Sequence, residues 1–263
     1  MDLGLRGRVA FVAASSKGLG RAIAEELAAE GADLFLCSRG AEALEQAKRQ
    51  LGEAHGVRVE ALPADVAKED EIRNIVREAT SRLGRIDILV TNAGGPPSGK
   101  FESLSPAMWN AAVGLTLMSV VNLTREVLPG MKERRWGRVI NVTSIAVKQP
   151  VEDLMLSNSL RAAVTGFAKT LANEVAPFGI TVNNILPGYT RTERVEQLSK
   201  ALANREGISR EDAMARWESE IPMRRLGEPR EFAALAAFLA SDRAGYLTGA
   251  SIPVDGGWIK GLL

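Results

Sequence analysis

V-A-F-V-A-A-S-S-K-G-L-G, running from Val9 to Gly20, is a short apolar run that breaks into a small, polar, glycine-bearing turn and then enters a helical pattern. A turn of this kind after the first strand of an α/β protein lets backbone come close to a pyrophosphate. The helix N-terminus behind it supplies N–H donors and partial positive charge. The stretch therefore predicts a nucleotide-binding unit. One position departs from the pattern: Ala14 stands where a glycine is expected. Its methyl group is tolerated if the backbone there keeps φ negative.

Outward from this turn, strand-like and helix-like segments alternate almost to the end of the chain. Strands are predicted over Arg8–Ala13, Asp33–Cys37, Val57–Leu62, Ile86–Thr91, Arg138–Thr143, Ile180–Ile185 and Ser251–Val254. Helices are predicted over Gly18–Glu30, Ala41–Ala54, Lys68–Leu83, Leu154–Ala176 and Glu228–Ala240, from apolar residues recurring at helical period. Ser105-Pro106 reads as a further helix start, serine capping and proline in the first turn, with the helix running to about Arg134. Apolar strands joined by helical crossovers predict one parallel sheet with helices on both faces, and no linker or repeat divides residues 1–263. Tyr189–Met223 differs: it is charged, follows a strand, and has weak helical periodicity only around Val195–Ala203 and Glu211–Trp217. Because ligands in open α/β sheets bind beyond the carboxyl ends of strands, residues 189–223 are placed to act as a lid.

Composition narrows the function classes. Lys and Arg total 33 against 32 Asp and Glu, a net charge of +1, which gives no ground for a nucleic-acid or anionic-membrane partner. Met1–Arg8 is too short and charged for a signal peptide, and no apolar run approaches the ~18 residues of a membrane span. One cysteine, Cys37, excludes an internal disulfide framework and reads as a buried small hydrophobe. A cytoplasmic protein is the expectation. No Cys/His cluster suggests a metal, and the only histidine, His55, reads as a surface residue.

Six separated pieces together resemble the short-chain dehydrogenase/reductase family. They are the turn Ala13–Gly20, Asp65-Val66, Asn92-Ala93-Gly94, Asn141-Val142-Thr143-Ser144, Pro187-Gly188 with Thr192, and Thr248–Gly257. The similarity spans about Leu5 to Gly257, and Pro222–Pro229 with the C-terminal end look most like the 3-oxoacyl-acyl-carrier-protein reductase branch. The resemblance implies a Rossmann-type doubly wound sheet and a nicotinamide dinucleotide held by Ala14, Ser16, Lys17, Gly18, Leu19 and Gly20. Asp65 and Val66 would serve the adenine, and Asn92, Ala93, Gly94, Pro187, Gly188 and Thr192 the remaining cofactor contacts. It also implies a small carbonyl or alcohol substrate and a homodimer or homotetramer assembled through the helices Leu154–Ala176 and Met108–Arg134. The second strand ends Cys37-Ser38-Arg39 with no carboxylate, and Lys17 adds a second charge nearby. An arginine accommodates the 2′-phosphate where an acidic residue would bind a free ribose hydroxyl, so NADP is expected, with NAD as the alternative.

The residues expected to perform the chemistry depart from the family pattern. Ser144 matches the catalytic serine, but thirteen residues on, where the Y-x-x-x-K motif belongs, the chain reads S-N-S-L-R, giving Ser157 and Arg161. The position of the asparagine that holds a proton-relay water aligns with Thr116. A tyrosine acid works because a neighbouring cation lowers its pKa toward the operating pH, and a serine hydroxyl is far less acidic. Arg161, four residues from Ser157 on one helix face, has donors for the nicotinamide ribose but cannot relay a proton. Tyr189, beside Pro187-Gly188, is the replacement acid to test, Tyr246 reads as structural, and Lys148 is a candidate oxyanion or substrate-anion clamp. The leading expectation is an NADP-dependent oxidoreductase; the rivals are a cofactor-binding sensor or assembly protein without turnover, and a lyase or isomerase using Lys148.

Overall fold

The computed structural model describes residues 2–262; Met1 and Leu263, the outer ends of the unit expected over 1–263 and of the leading segment Met1–Arg8, lie outside the described residues. Seven strands form one parallel sheet: β1 (Val9–Ala13), β2 (Asp33–Ser38), β3 (Val59–Pro63), β4 (Ile88–Thr91), β5 (Gly137–Val142), β6 (Ile180–Pro187) and β7 (Ser251–Val254). Their order is β3-β2-β1-β4-β5-β6-β7, so the winding reverses between β1 and β4. That reversal opens a crevice at the carboxyl ends of these two strands.

The strands are apolar throughout because both faces are covered. Ala10, Val12, Leu34, Leu36, Ile88 and Val90 point to a layer made by α1 (Gly18–Ala29), α2 (Ala41–His55) and, from further along the chain, the helix Pro229–Ala240. Val9, Phe11, Ala13, Phe35, Leu89 and Val139 point to the opposite layer, formed by α3 (Glu69–Leu83) and the helices Ser119–Arg134 and Met155–Val175. Alternation at period two thus divides one sheet between two cores. Cys37 is fully buried in the second of them, and burial pushes its thiol up to about 12, which makes it inert.

Observed boundaries differ from the predicted ones by one or two residues at most ends, as when β4 begins at Ile88 and β3 at Val59. The larger differences have local causes. The helix predicted to run from Ser105-Pro106 to Arg134 is α4 (Pro106–Ala112) and α5 (Ser119–Arg134), joined by a π-helical turn over Val113–Met118. Ser105 caps it as expected, accepting from the Met108 amide. Counted as one, Pro106–Arg134 is long and apolar enough by composition to cross a bilayer, contrary to the expectation that no such stretch exists. Its Leu123, Val127 and Met131 are instead packed into the sheet's second core.

After α6 (Met155–Val175) and β6, the segment 189–223 forms two full helices, α7 (Glu193–Glu206) and α8 (Arg210–Glu220), followed by α9 (Pro229–Ala240). Thr192 and Ser209 cap α7 and α8 by accepting from the Val195 and Asp212 amides. Their apolar residues, among them Val195, Trp217 and Ile221, form a small separate core with Leu226 and Trp258. His55 is half-buried at the end of α2 with its Nε2 enclosed and unbonded, not freely exposed as the sequence suggested. Tyr246, expected to be structural, is fully bare in the single chain.

Candidate functional site

At the mouth of β1 the chain turns through Ala14 with φ +48°, the left-handed region, not the negative φ anticipated for an alanine there. For an L-residue this costs roughly 1–2 kcal/mol relative to glycine. Two contacts hold the turn. Asn92, at the end of β4, donates from Nδ2 to the Ala14 carbonyl at 3.3 Å. Gly20 packs directly beneath, where an added Cβ would sit 2.3 Å from that carbonyl and 2.8 Å from the Asn92 amide. The two turns flanking the crevice are therefore locked to each other. By contrast, a Cβ at Gly94 or Gly40 would meet nothing within 4 Å, and one at Gly18 would meet only the Thr192 methyl, 3.9 Å away. Backbone lies open on both sides of the crevice, which is the surface a dinucleotide needs.

The charges nearby are arranged differently from expectation. Lys17 is ion-paired with Glu193 at the start of α7, so its charge is already matched. Arg39 is exposed at the end of β2, and among the described residues it has no carboxylate within ion-pair distance. Asp65 accepts from the Ala67 amide at 3.0 Å, and Val66 is buried below it, which fixes the turn after β3. Ser16 and Leu19 are half-buried in the first turn.

Behind Asn92, a row of polar side chains crosses four strands. Thr91 donates to Asn141 Oδ1 at 2.7 Å, Asn141 Nδ2 to Asn184 Oδ1 at 3.0 Å, and Asn184 Nδ2 to Ser251 Oγ at 3.0 Å. These residues are register partners in β4, β5, β6 and β7, so the bonds run straight across the sheet. Asn141 was legible as part of a motif; the cross-strand row was not, because it depends on register.

Asn92, Thr116 and Arg161 line one small cavity together with Thr91, Ala93 and Val142. Thr116, which the alignment with the family set at the position of the relay asparagine, thus lies beside Asn92 and Arg161. The π-helical turn carries it there, and its Oγ1 is buried without a partner. Arg161 reaches the cavity from α6 and donates from Nη1 to the Val142 carbonyl at 2.9 Å. Burial, with a smaller contribution from the charge of Arg194, lowers its pKa to about 10, so it stays a cation at neutral pH. Ser144 precedes a short 3-10 turn and accepts from the Ala146 amide at 3.1 Å. Ser157 is buried on α6, one turn before Arg161.

A second cavity, of about 660 Å³, lies between helices α7 and α8 and residues 149–154, and Ser144, Ser157 and Arg161 are not among its lining residues. Tyr189 lines it, stacked on Trp217 at 4.7 Å and edge-on to Trp258 at 6.0 Å. Burial, and then the charge of Glu220, push the Tyr189 hydroxyl up to about 12, away from the range of an efficient acid. Pro187 and Gly188 form the adjoining strand end; the Gly188 amide donates to the Val254 carbonyl, and a Cβ there would strike Asp255 at 2.7 Å. Lys148 is exposed and does not line the cavity, although Gln149, Glu152 and Asp153 do. Trp217, Trp258 and Arg194 were missed in the sequence; Trp217 stood inside a weakly periodic segment, and the other two come to the site only through the lid's fold. Among the described residues no three His, Cys, Asp or Glu side chains gather as a metal site.

Comparison with known proteins places this geometry. Residues 13–259 match the family described as Enoyl-(Acyl carrier protein) reductase. The acetoacetyl-CoA reductase of Allochromatium vinosum is 36% identical over 251 residues, 95% of this chain and 98% of the relative. The 3-oxoacyl-[acyl-carrier-protein] reductase of Staphylococcus epidermidis is 36% identical over 250 residues, covering 94% and 97%. Among solved structures, L-sorbose reductase from Gluconobacter frateurii, complexed with NADPH and L-sorbose, superposes with a TM-score of 0.95 at 37% identity over the whole of both chains. With a seven-stranded doubly wound sheet, a glycine turn at its switch point and relatives matching end to end, the chain belongs to the short-chain dehydrogenase/reductase family.

Proposed function

We propose that this protein is an NADP-dependent oxidoreductase that transfers hydride between the cofactor and a small carbonyl or alcohol substrate, in the manner of the ketoacyl reductases it resembles. The observation that carries this reading is the crevice mouth, where Gly20, the Ala14 carbonyl and Asn92 are interlocked while Gly18 and Gly94 leave backbone open. When bound, NADPH supplies the hydride. The first turn and the loop Asn92-Ala93-Gly94 hold the dinucleotide, and Thr192 closes the nicotinamide side. Arg39 serves the 2′-phosphate, since Lys17 is committed to Glu193. The L-sorbose reductase complex supports the choice of NADPH.

On the reaction side Ser144 polarises the carbonyl and Arg161 orients the nicotinamide ribose. Ser157 occupies the acid's position, without the acidity. Tyr189 is the weaker candidate, because its environment holds its proton more tightly than usual. General acid–base catalysis contributes ~10²–10⁴-fold, so its absence slows the reaction and leaves the orientation of the hydride donor intact. The chain works as one cytoplasmic unit with residues 189–223 as its lid, and as a homodimer or homotetramer. A bare Tyr246 and partly exposed Met118 and Met155 on the single chain support assembly.

A second reading, a cofactor-bound sensor without turnover, is favoured by one observation: neither Ser157 nor Tyr189 is tuned as an acid. The remaining rival, a lyase or isomerase using Lys148 or an acidic neighbour, rests on Glu152 and Asp153, which line the larger cavity as Lys148 does not. The test is NADPH oxidation against a panel of ketones, in the native protein and in Ser157→Tyr/Arg161→Lys. A measurable native rate, raised ~10²–10⁴-fold in the double variant, is the expected result. Tight NADPH binding with no turnover in either protein would establish the sensor instead.

A further inference from the structure

Two cations near the crevice lack the counter-charge that other partly buried arginines have. Arg85 and Arg134 pair with Asp87, and Arg8 and Arg138 with Asp242. Arg161 and Arg194 are also partly buried, yet among the described residues neither has a carboxylate within ion-pair distance. A buried charge without a partner is costly, and the two cations come to neighbouring parts of the loop after β4, Arg161 to the cavity lined by Asn92 and Ala93 and Arg194 to Gly95. After burial, the charge of Arg194 is the second cause that lowers the pKa of Arg161.

Their donors are largely unspent. A guanidinium carries five N–H groups. Arg161 gives one to the Val142 carbonyl, and Arg194 gives one, from Nη2, to the Pro96 carbonyl at 2.9 Å. Arg194 is also seated. A Cβ on Gly95 would lie 2.9, 3.0 and 3.1 Å from its Nη2, Nε and Cζ, so the guanidinium lies flat on the glycine of the loop after β4. The same first turn of α7 places Thr192 against Gly18 and Glu193 against Lys17. Arg194 thus extends from the lid across the crevice to the β4 loop, toward the side from which Arg161 enters.

We propose that Arg161 and Arg194 form a two-arginine site for an anionic oxygen group, a phosphate or a carboxylate, bound where the lid meets the loop after β4. The forked, planar donors suit either group bidentately, and an anion between them would neutralise the mutual repulsion. It has two sources: the diphosphate of the dinucleotide, which rests on the function proposed above, or a carboxylate carried by the substrate, which makes the site a determinant of substrate class.

The experiment compares native protein with Arg194→Gln and Arg194→Lys by calorimetric titration, first with NADPH and then with oxalate in the presence of saturating NADP+. Removing the fork should weaken the anion's binding by about tenfold or more, with Arg194→Lys intermediate. Loss confined to NADPH assigns the site to the diphosphate. Loss confined to oxalate, with NADPH affinity within about twofold of native, assigns it to a substrate carboxylate. A melting temperature in Arg194→Gln equal to or above native shows that the fold persists. Native-like binding of both ligands by Arg194→Gln, or no oxalate binding by a native protein whose NADPH affinity ignores Arg194, would overturn the proposal. A native protein that binds oxalate but no NADPH would overturn the dinucleotide reading and leave the anion site standing.

Discussion

The two sides of the crevice follow different rules. On the phosphate side, backbone carries the work: a turn, two open glycines, and one asparagine that fastens the β1 turn to the β4 turn. A methyl at Ala14 is absorbed there as strain, because a backbone cradle needs a shape and tolerates modest substitution. On the reaction side the work belongs to side-chain acidity, which a single replacement removes. In the function proposed above, Ser157 and Arg161 keep a hydroxyl and a positive charge in that region, while the much smaller serine lacks the phenol that would donate the proton. On that reading, cofactor recognition and reaction chemistry are separable, the first held by backbone and the second dependent on single side chains.

Substitutions on the two sides can break or sharpen that contrast. The largest effect on stability is expected from Asn141→Ala, which strands Thr91 and Asn184 in the buried polar row. Chemical denaturation should show a loss of about 3 kcal/mol, the sum of two unsatisfied buried groups. A loss below about 1 kcal/mol would mean that water replaces the row and that the scaffold under both sides is looser than its bonds suggest. Next, Arg39→Asp should weaken NADPH by roughly tenfold to a hundredfold relative to NADH, the worth of a charge-assisted phosphate contact. Lys17→Ala should change that ratio little, since Lys17 already has Glu193. An unchanged ratio in Arg39→Asp would move 2′-phosphate recognition elsewhere.

Tyr189 offers a spectroscopic comparison. In a Tyr246→Phe background it is the only tyrosine, and ultraviolet titration should show its ionisation at about pH 12. The sign follows from burial. The folded state favours the neutral phenol, so Tyr189 contributes stability below the unfolded value near 10, and that contribution is lost as pH rises toward 12. Ionisation near neutrality would make it a tuned acid and erase the contrast between the two sides. The smallest effect is expected from Ala14→Gly, which should stabilise the protein by about 1 kcal/mol by relieving the left-handed alanine. Destabilisation would show that the methyl packs usefully.

Much of this was legible in the chain itself. The strands, the helices that cover both faces of the sheet and the glycine turn follow from periodicity and punctuation that act over a few residues, whereas the order of the strands is set by pairing between distant segments. Arg161 and Thr116 were singled out by counting along the motifs of the family the chain resembles, and both line the small cavity beside Asn92. The sign of φ at Ala14 was not readable, since it is imposed by Gly20 and Asn92 from elsewhere in the chain. The lid helices were underestimated for a related reason. Their stripes are short and find partners in Trp258 and Leu226, which lie beyond the segment, and their capping residues, Thr192 and Ser209, stood among many polar neighbours. Arg194 became visible only once the fold set it on Gly95.

The most direct test of the central claim follows the hydride itself. The protein is incubated with NADPH carrying deuterium at nicotinamide C4 on one face, together with a ketone from the substrate panel, and the product is analysed by mass spectrometry. Deuterium at the new carbinol carbon from one of the two faces only, at a slow rate, is the predicted outcome. Saturable NADPH binding with no label transferred from either face to any ketone would contradict it.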